Sequence, residues 1–479
     1  MIDSNGKERK LDFSADSFPH GGELAGRVLA ALGVRFAFTL SGGHISPILV
    51  GCRNNGIRVI DVRHEVNAVF AADAVSRVSD SIGMAVLTAG PGLTNTITAV
   101  KNAQMAQSPL LIIGGATATL LKGRGSLQDI DQHALFRPHV KYQTTVKSVS
   151  NIPLDLEVAI FQARSGVPGP VFVEFPLDVL YPPAAMGEFT ATLDERTDLA
   201  GRAMSWYVHR HVNQVLDRSG IRAPSVVSPP DYYAPKAKVR SLHHRLLNAT
   251  RPVLILGSQA ARPPLAFQVA EAVRLLGIPT YLSGMARGLL GRFSSVQLRH
   301  NRKSALKEAD LVILCGVPFD FRLGYGQGVP QATSVVAVNL SEEEAIKNRT
   351  PTLSIIADPM KLILQLAELA HAHPLSDYKD WFQILRAREE KRDLQIGQQS
   401  QAKCVHDVYL NPLHLLSRVE EHLSPGAAII ADGGDFVATA SYILRPRGAL
   451  LLLSLPFIYI VSYYFYYFID IGITYDIGS

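Results

Sequence analysis

Short apolar runs alternate with helical stretches and glycine-bearing turns along most of this chain, and that alternation decides what it can fold into. Gly21–Leu32 has helical amphipathic spacing, Val34–Leu40 is an apolar run of strand length, and Ser41-Gly42-Gly43-His44 follows it as a turn. Ile57–Val62 is a second strand pattern, leading through Arg63-His64-Glu65 into the Ala-rich helical stretch Val69–Val78. Gly83–Thr88 is a third, ended by Ala89-Gly90-Pro91-Gly92 and followed by helix through Gln107. Leu110–Ile113 and Val171–Phe175 complete the first unit, placed at 19–185. Strands alternating with helices predict an α/β fold with a doubly wound parallel sheet.

The pattern breaks and restarts. Residues 186–245, with Pro224, Pro229, Pro230 and Pro235, read as an interdomain connection with some helix. A second α/β unit at 246–370 has strands at Pro252–Leu256, Thr280–Leu282, Leu311–Cys315 and Val335–Leu340, and a helix at Leu265–Leu276. The charged stretch Asp377–Gln401, inside 371–408, reads as a solvated linker helix. A third unit begins at 409–448 with a helix at Leu413–His422, a strand at Ala427–Ala431 and the turn Asp432-Gly433-Gly434-Asp435. Residues 449–479 then turn apolar, and no charge occurs from 449 to 469, a length that fits a membrane span. Against a span, Pro456 lies inside it and the segment interrupts a domain core, so the stretch reads rather as sequence unrelated to the fold.

Composition narrows the function classes. A hydrophobic fraction of 47% with 19% charged residues is that of a cored protein rather than a disordered one. The net charge of +5 is spread out, and no Lys/Arg block marks a nucleic-acid surface. Cys52, Cys315 and Cys404 form neither a disulfide framework nor a metal-ligand spacing. Met1–Pro19 is polar and lacks the apolar core of a signal peptide.

Glu65 carries the strongest chemical signal. It stands where a strand ends and a helix begins, the edge at which open α/β sheets bind ligands. A first-turn glutamate that only complements the helix dipole is the bland alternative. The surrounding pattern, Arg58-Val59-Ile60-Asp61-Val62-Arg63-His64-Glu65 followed by Phe70-Ala71-Ala72-Asp73-Ala74 and Arg77, decides between them. It resembles the pyrimidine-binding domain of the thiamine-diphosphate enzymes that include acetolactate synthase, oxalyl-CoA decarboxylase and 2-hydroxyacyl-CoA lyase. Thr88-Ala89-Gly90-Pro91-Gly92-Leu93-Thr94-Asn95 resembles that family's Gly-Pro-Gly turn, and the Pro168–Val179 stretch resembles the strand that closes the domain. Residues 20–448 as a whole resemble the 2-hydroxyacyl-CoA lyase branch, notably at His44-Ile45-Ser46-Pro47, Lys101–Pro109 and Gly284–Gly291.

The resemblance implies roles. Glu65 would hydrogen-bond the aminopyrimidine of thiamine diphosphate and drive its imino tautomer, which removes the thiazolium proton. Gly90, Pro91, Gly92 and Asn95 would bind the pyrimidine, and Gln128 would face substrate and cofactor. His44 borders the reacting carbonyl as an acid/base or oxyanion donor, unless it is only a packed histidine. The central unit, with Gly257-Ser258-Gln259, Gly284-Met285-Ala286-Arg287-Gly288 and Asp358, binds FAD or ADP in relatives, or nothing. The implied reaction cleaves a 2-hydroxyacyl-CoA to formyl-CoA and an aldehyde. An acetolactate synthase-type carboligase acting on 2-oxo acids and a non-catalytic partner subunit are the alternatives.

One departure matters. The family's third domain anchors the diphosphate and Mg²⁺ through Gly-Asp-Gly and a downstream Asn, and neither is found here. Gly433, Gly434 and Asp435 resemble only the first cofactor-binding loop of that domain, and no metal ligand is assigned. The expectation is a chain inactive by itself, whose site is completed within an oligomer by a full-length subunit. The resemblance implies the endoplasmic reticulum membrane, with residues 449–469 as the candidate membrane contact; an unrelated tail implies the cytoplasm.

Overall fold

The computed structural model describes residues 11–182, 199–225, 228–402, 410–431, 435–448 and 452–454, and the chain divides into two compact units, Met1–Pro230 and Asp231–Ser479.

The first unit is built on six parallel strands: β1 (Phe36–Leu40), β2 (Arg58–Asp61), β3 (Gly83–Leu87), β4 (Leu110–Ala116), β5 (Tyr142–Thr145) and β6 (Pro170–Pro176). They lie side by side in the order β2-β1-β3-β4-β6-β5. Every residue of β3, β4 and β6 is buried, as a sheet covered on both faces requires. The pleat sends Met84, Val86, Ile113 and Val173 into one core and Ala85, Leu87, Ile112 and Phe172 into the other. On the first face the helices Gly21–Ala31 and Ser46–Asn54 touch backbone to backbone. A Cβ added to Gly26 would sit 2.1 Å from the carbonyl carbon of Gly51.

Two local expectations change. β5, with the sequence Tyr-Gln-Thr-Thr, was no strand in the apolar pattern because it is a half-exposed edge strand that needs no apolar run. The helix expected after the Gly90 turn is two helices, Pro91–Thr94 and Ile97–Met105. The Thr96 hydroxyl turns back to the Leu93 carbonyl at 2.6 Å and breaks the run there.

The second unit repeats the plan: β7 (Pro252–Leu256), β8 (Thr280–Leu282), β9 (Gln297–Leu298), β10 (Leu311–Cys315), β11 (Ser334–Asn339) and β12 (Leu353–Ile356), in the parallel order β12-β11-β10-β7-β8-β9. The helix Lys236–Asn248 adds Val239, Leu242 and Leu246 to its core. The helix Lys379–Ser400 is not solvated all round, as its charge suggested. Trp381 and Leu385, four residues apart, enter the core, and the buried Glu389 accepts the backbone N–H groups of Arg299 (3.0 Å) and His300. The charge density hid a two-residue apolar stripe. The helix Pro412–His422 follows, and β13 (Ile429–Ala431) pairs in parallel with β14 (Leu452–Ser454). Among the described residues no helix is long and apolar enough to cross a membrane; of 449–469, only 452–454 are described.

The helix crossing yields a prediction. Gly26→Val should lower unfolding free energy by about 1–3 kcal/mol, the usual cost of overpacking. Gly43→Ala, where an added Cβ meets nothing within 4 Å, should leave it unchanged. Urea denaturation followed by circular dichroism compares the two.

Candidate functional site

The carboxyl ends of β1 to β4 deliver one cluster of side chains. β2 runs through a short turn into the helix Glu65–Val78, where His64 is the N-cap and its Nδ1 accepts the Val66 N–H at 3.2 Å. Glu65 is therefore the first helical residue. It is only 8% exposed, and its Oε2 accepts a hydrogen bond from Asn95 Nδ2 at 3.0 Å. Its Oε1 lies 3.9 Å from where a Cβ on Gly92 would be. The carboxylate thus faces the Gly90-Pro91-Gly92 turn, and the glycine leaves the space before it open.

Thr88 organises the neighbouring turn. An added Cβ would come within 2.5 Å of the Thr88 hydroxyl at Gly42 and 2.6 Å of its methyl at Gly92, so the two glycines let the turns after β1 and β3 close on one side chain. His44 is buried, and its Nδ1 lies 3.4 Å from Thr88 Oγ1. Burial pushes the His44 imidazole below its ordinary value, so it is neutral at pH 7.

Beneath the turn runs a buried polar chain. Gly90 takes φ +63° and donates its N–H to Gln132 Oε1 at 3.1 Å. Gln132 Nε2 donates to the Gly115 carbonyl (3.1 Å) and to Glu174 Oε2 (2.8 Å). Glu174, fully buried in β6, also receives Lys122 Nζ and Thr145 Oγ1, each at 2.9 Å. Burial alone would raise this carboxyl. The hydrogen bonds from His133, Lys122 and Gln132, with the Lys122 charge, outweigh it and hold it down at about 2.

The structure brings Glu65, Gly90, Pro91, Gly92, Asn95 and His44 to one sheet edge. Gln128 joins them through its backbone: it takes φ +61°, and its carbonyl oxygen lies 3.0 Å from where a Gly90 Cβ would be. Its neighbours have structural tasks. Asp129 accepts the Gly123 N–H at 2.5 Å, and Asp131 caps the helix Gln132–Phe136 through the Ala134 N–H at 2.9 Å. Gly433 and Gly434 lie outside the described residues, and Asp435 begins the helix Asp435–Ile443. In the second unit, Asp358 caps the helix Pro359–Ala372 through the Met360 N–H (2.8 Å) and pairs with Arg262, so it packs a turn. Sequence reasoning missed Gln132. A charged residue inside the apolar strand Val-Phe-Val-Glu-Phe was the available signal for Glu174.

These residues fit one half of an aminopyrimidine cofactor. A buried carboxylate, an amide fixed to it and an open glycine turn match the donor and acceptor edge of such a ring. Among the described residues, no group of three or more His, Cys, Asp or Glu side chains is placed to hold a metal ion.

Residues 19–135 match the family model of the thiamine pyrophosphate enzyme N-terminal TPP binding domain, and residues 239–366 match that of the central domain. The chain belongs to the thiamine pyrophosphate-dependent enzymes. Within them it is 45% identical over 443 residues to 2-hydroxyacyl-CoA lyase 2 of Danio rerio, covering 91% of this chain and 70% of that protein. The same enzyme of Homo sapiens is 43% identical over 442 residues, covering 91% and 69%. An acetolactate synthase large subunit of Mycobacterium tuberculosis is 32% identical over 436 residues, covering 88% and 71%.

Glu174→Gln should lower stability by about 1–3 kcal/mol by unbalancing the buried chain, and should speed hydrogen exchange at the Gly90 amide, read by mass spectrometry. His44 should titrate below 6.5 by NMR. Because its folded-state affinity for protons is depressed, it contributes stability above pH 6.5 that is lost as the pH falls through its folded-state value, and His44→Gln should remove that slope.

Proposed function

We propose that this chain carries the pyrimidine-side half of a thiamine-diphosphate-dependent lyase that cleaves a 2-hydroxyacyl-CoA to formyl-CoA and an aldehyde. The observation that carries this reading is the buried Glu65 carboxylate, fixed by Asn95 and facing the Gly90–Gly92 turn. When bound, thiamine diphosphate supplies the carbon nucleophile that makes cleavage next to a thioester carbonyl feasible. Glu65 would hold the proton at the pyrimidine edge, and Asn95 keeps the carboxylate aimed there. Gly90 and Gly92 admit the ring, with the Gly90 backbone pinned by Gln132. His44, neutral at pH 7, is the group able to donate or accept a hydrogen bond on the carbonyl side. In the overall reaction the bond between C1 and C2 breaks, the hydroxyl gives up its proton, and a proton returns to the thioester carbon.

The names of the relatives support the lyase reading over a carboligase, since the lyases are 43–46% identical and the acetolactate synthase 32%. The Mg²⁺ that neutralises the diphosphate needs hard oxygen ligands. We infer that a full-length lyase subunit supplies these ligands within an oligomer.

Calorimetry with thiamine diphosphate and Mg²⁺ tests this, on the purified chain and on its mixture with a full-length lyase subunit. Cofactor binding in the mixture should weaken when this chain carries Glu65→Gln. The mixture should release formyl-CoA from a 2-hydroxyacyl-CoA, and Glu65→Gln in this chain should cut its share of that activity at least 100-fold. Cofactor binding unmoved by Glu65→Gln would refute the half-site reading, and acetolactate from pyruvate without formyl-CoA release would refute the lyase reading.

A further inference from the structure

The two branches of the Thr88 side chain face different turns. A Cβ on Gly42 would sit 2.5 Å from the Thr88 hydroxyl, whereas one on Gly92 would sit 2.6 Å from its methyl. A β-branched side chain held on both branches keeps one rotamer. The methyl therefore lies toward the glycine turn before Glu65, and the hydroxyl lies toward His44.

The turn that carries His44 is held by other groups. The Tyr181 hydroxyl donates to the Gly43 carbonyl at 2.7 Å, and the Ser46 hydroxyl donates to the Gly42 carbonyl at 3.0 Å. The Ile45 N–H closes the turn on the same Gly42 carbonyl at 3.1 Å. What remains for Thr88 to set is the ring itself. Its Oγ1 lies 3.4 Å from His44 Nδ1, a separation common in catalytic hydrogen bonds before substrate arrives. Among the described residues the Thr88 hydroxyl has no other hydrogen-bond partner. His44 Nε2 has none, and it is not sealed from solvent.

The imidazole is neutral at pH 7, so one ring nitrogen bears a hydrogen and the other accepts. The two tautomers are not equivalent here. With the hydrogen on Nε2, the Thr88 hydroxyl donates to Nδ1 and both atoms are satisfied. With the hydrogen on Nδ1, that N–H must use the hydroxyl as its acceptor. The hydroxyl hydrogen is then left without an acceptor among the described residues. A neutral imidazole takes its tautomer from the hydrogen bond made at its other nitrogen.

We propose that Thr88 is a positioning residue: its hydroxyl donates to His44 Nδ1 and fixes the Nε2–H tautomer, which makes the imidazole a hydrogen-bond donor at the reactive edge. Resting on the lyase reading above, that N–H serves the thioester carbonyl oxygen as negative charge builds on it. A ring fixed in this way donates, and it does not take up the proton of the 2-hydroxyl group.

Nitrogen NMR of the full chain carrying isotope-labelled histidine tests this, with the His44 signals assigned by their loss in His44→Gln. At a pH where the ring is neutral, Nε2 should be protonated and Nδ1 bare. Thr88→Val keeps the branched shape without the hydroxyl and should raise the Nδ1–H form severalfold, and Thr88→Ser should restore the original pattern. In the mixture with a full-length lyase subunit, Thr88→Val should cut this chain's share of formyl-CoA release about tenfold, roughly what one hydrogen bond contributes. Thr88→Ser should recover most of it. Thr88→Val combined with His44→Gln should lose no more than His44→Gln alone, because the threonine acts through the histidine. A protonated Nδ1 in the unaltered chain would overturn the proposal whether or not the variants fold. A tautomer ratio unmoved by Thr88→Val, or additive losses in the double variant, would overturn it as well. The expected tautomers without any formyl-CoA release would sink the lyase reading and leave the role of Thr88 standing.

Discussion

A fully buried carboxylate has to be answered by donors, and in the first unit those donors also shape the reactive edge. Glu174 sits in a strand whose other residues are apolar, where an uncompensated charge would be expelled. Lys122, Thr145 and Gln132 come to it from three different segments, and Gln132 spends its remaining capacity on Gly115 and the Gly90 amide. The cost of burying one charge is thereby converted into a fixed backbone turn opposite Glu65. Without this chain the Gly90–Gly92 loop would still be glycine-rich, but nothing beneath it would select its conformation.

The parallel sheets were legible because their strands are short and apolar, with turns and helices between them. Glu65, Asn95 and the glycine turn were legible because they fall within a few residues of one another along the chain or of a strand end. Gln132 was not, since its importance lies in a bond to a residue 42 positions away. β5 escaped because an edge strand carries no apolar signature. The helix Lys379–Ser400 was misjudged because Trp381 and Leu385 are outnumbered by charges, although those two side chains dock the helix on the core. The turn at Gly433 and Gly434 falls outside the described residues.

The two units show how little of function is set by a shared architecture. Both present loops at the carboxyl ends of six parallel strands. In one, the loops contribute a carboxylate, an amide and two glycines. In the other they contribute guanidiniums, among them Arg322, held by Asp320, and Arg302, held by the Arg322 carbonyl. The same scaffold therefore offers an edge with a buried carboxylate in the first unit and an arginine-lined recess in the second, and the difference lies in a few loop residues.

The contact between Gly26 and Gly51 bears on more than packing. The helix Ser46–Asn54 begins two residues after His44, and its distance from the helix Gly21–Ala31 is set where those two backbones meet without side chains between them. His44 rests on Gly115 of β4 at its other side, where an added Cβ would lie 2.5 Å from its own. The backbone that carries the imidazole thus runs from a spacing at Gly115 to one at Gly51, both of which only glycine permits. A single methyl group placed on that remote crossing would push on the helix that starts two residues beyond His44, so the place of this imidazole depends in part on a contact between two other backbones.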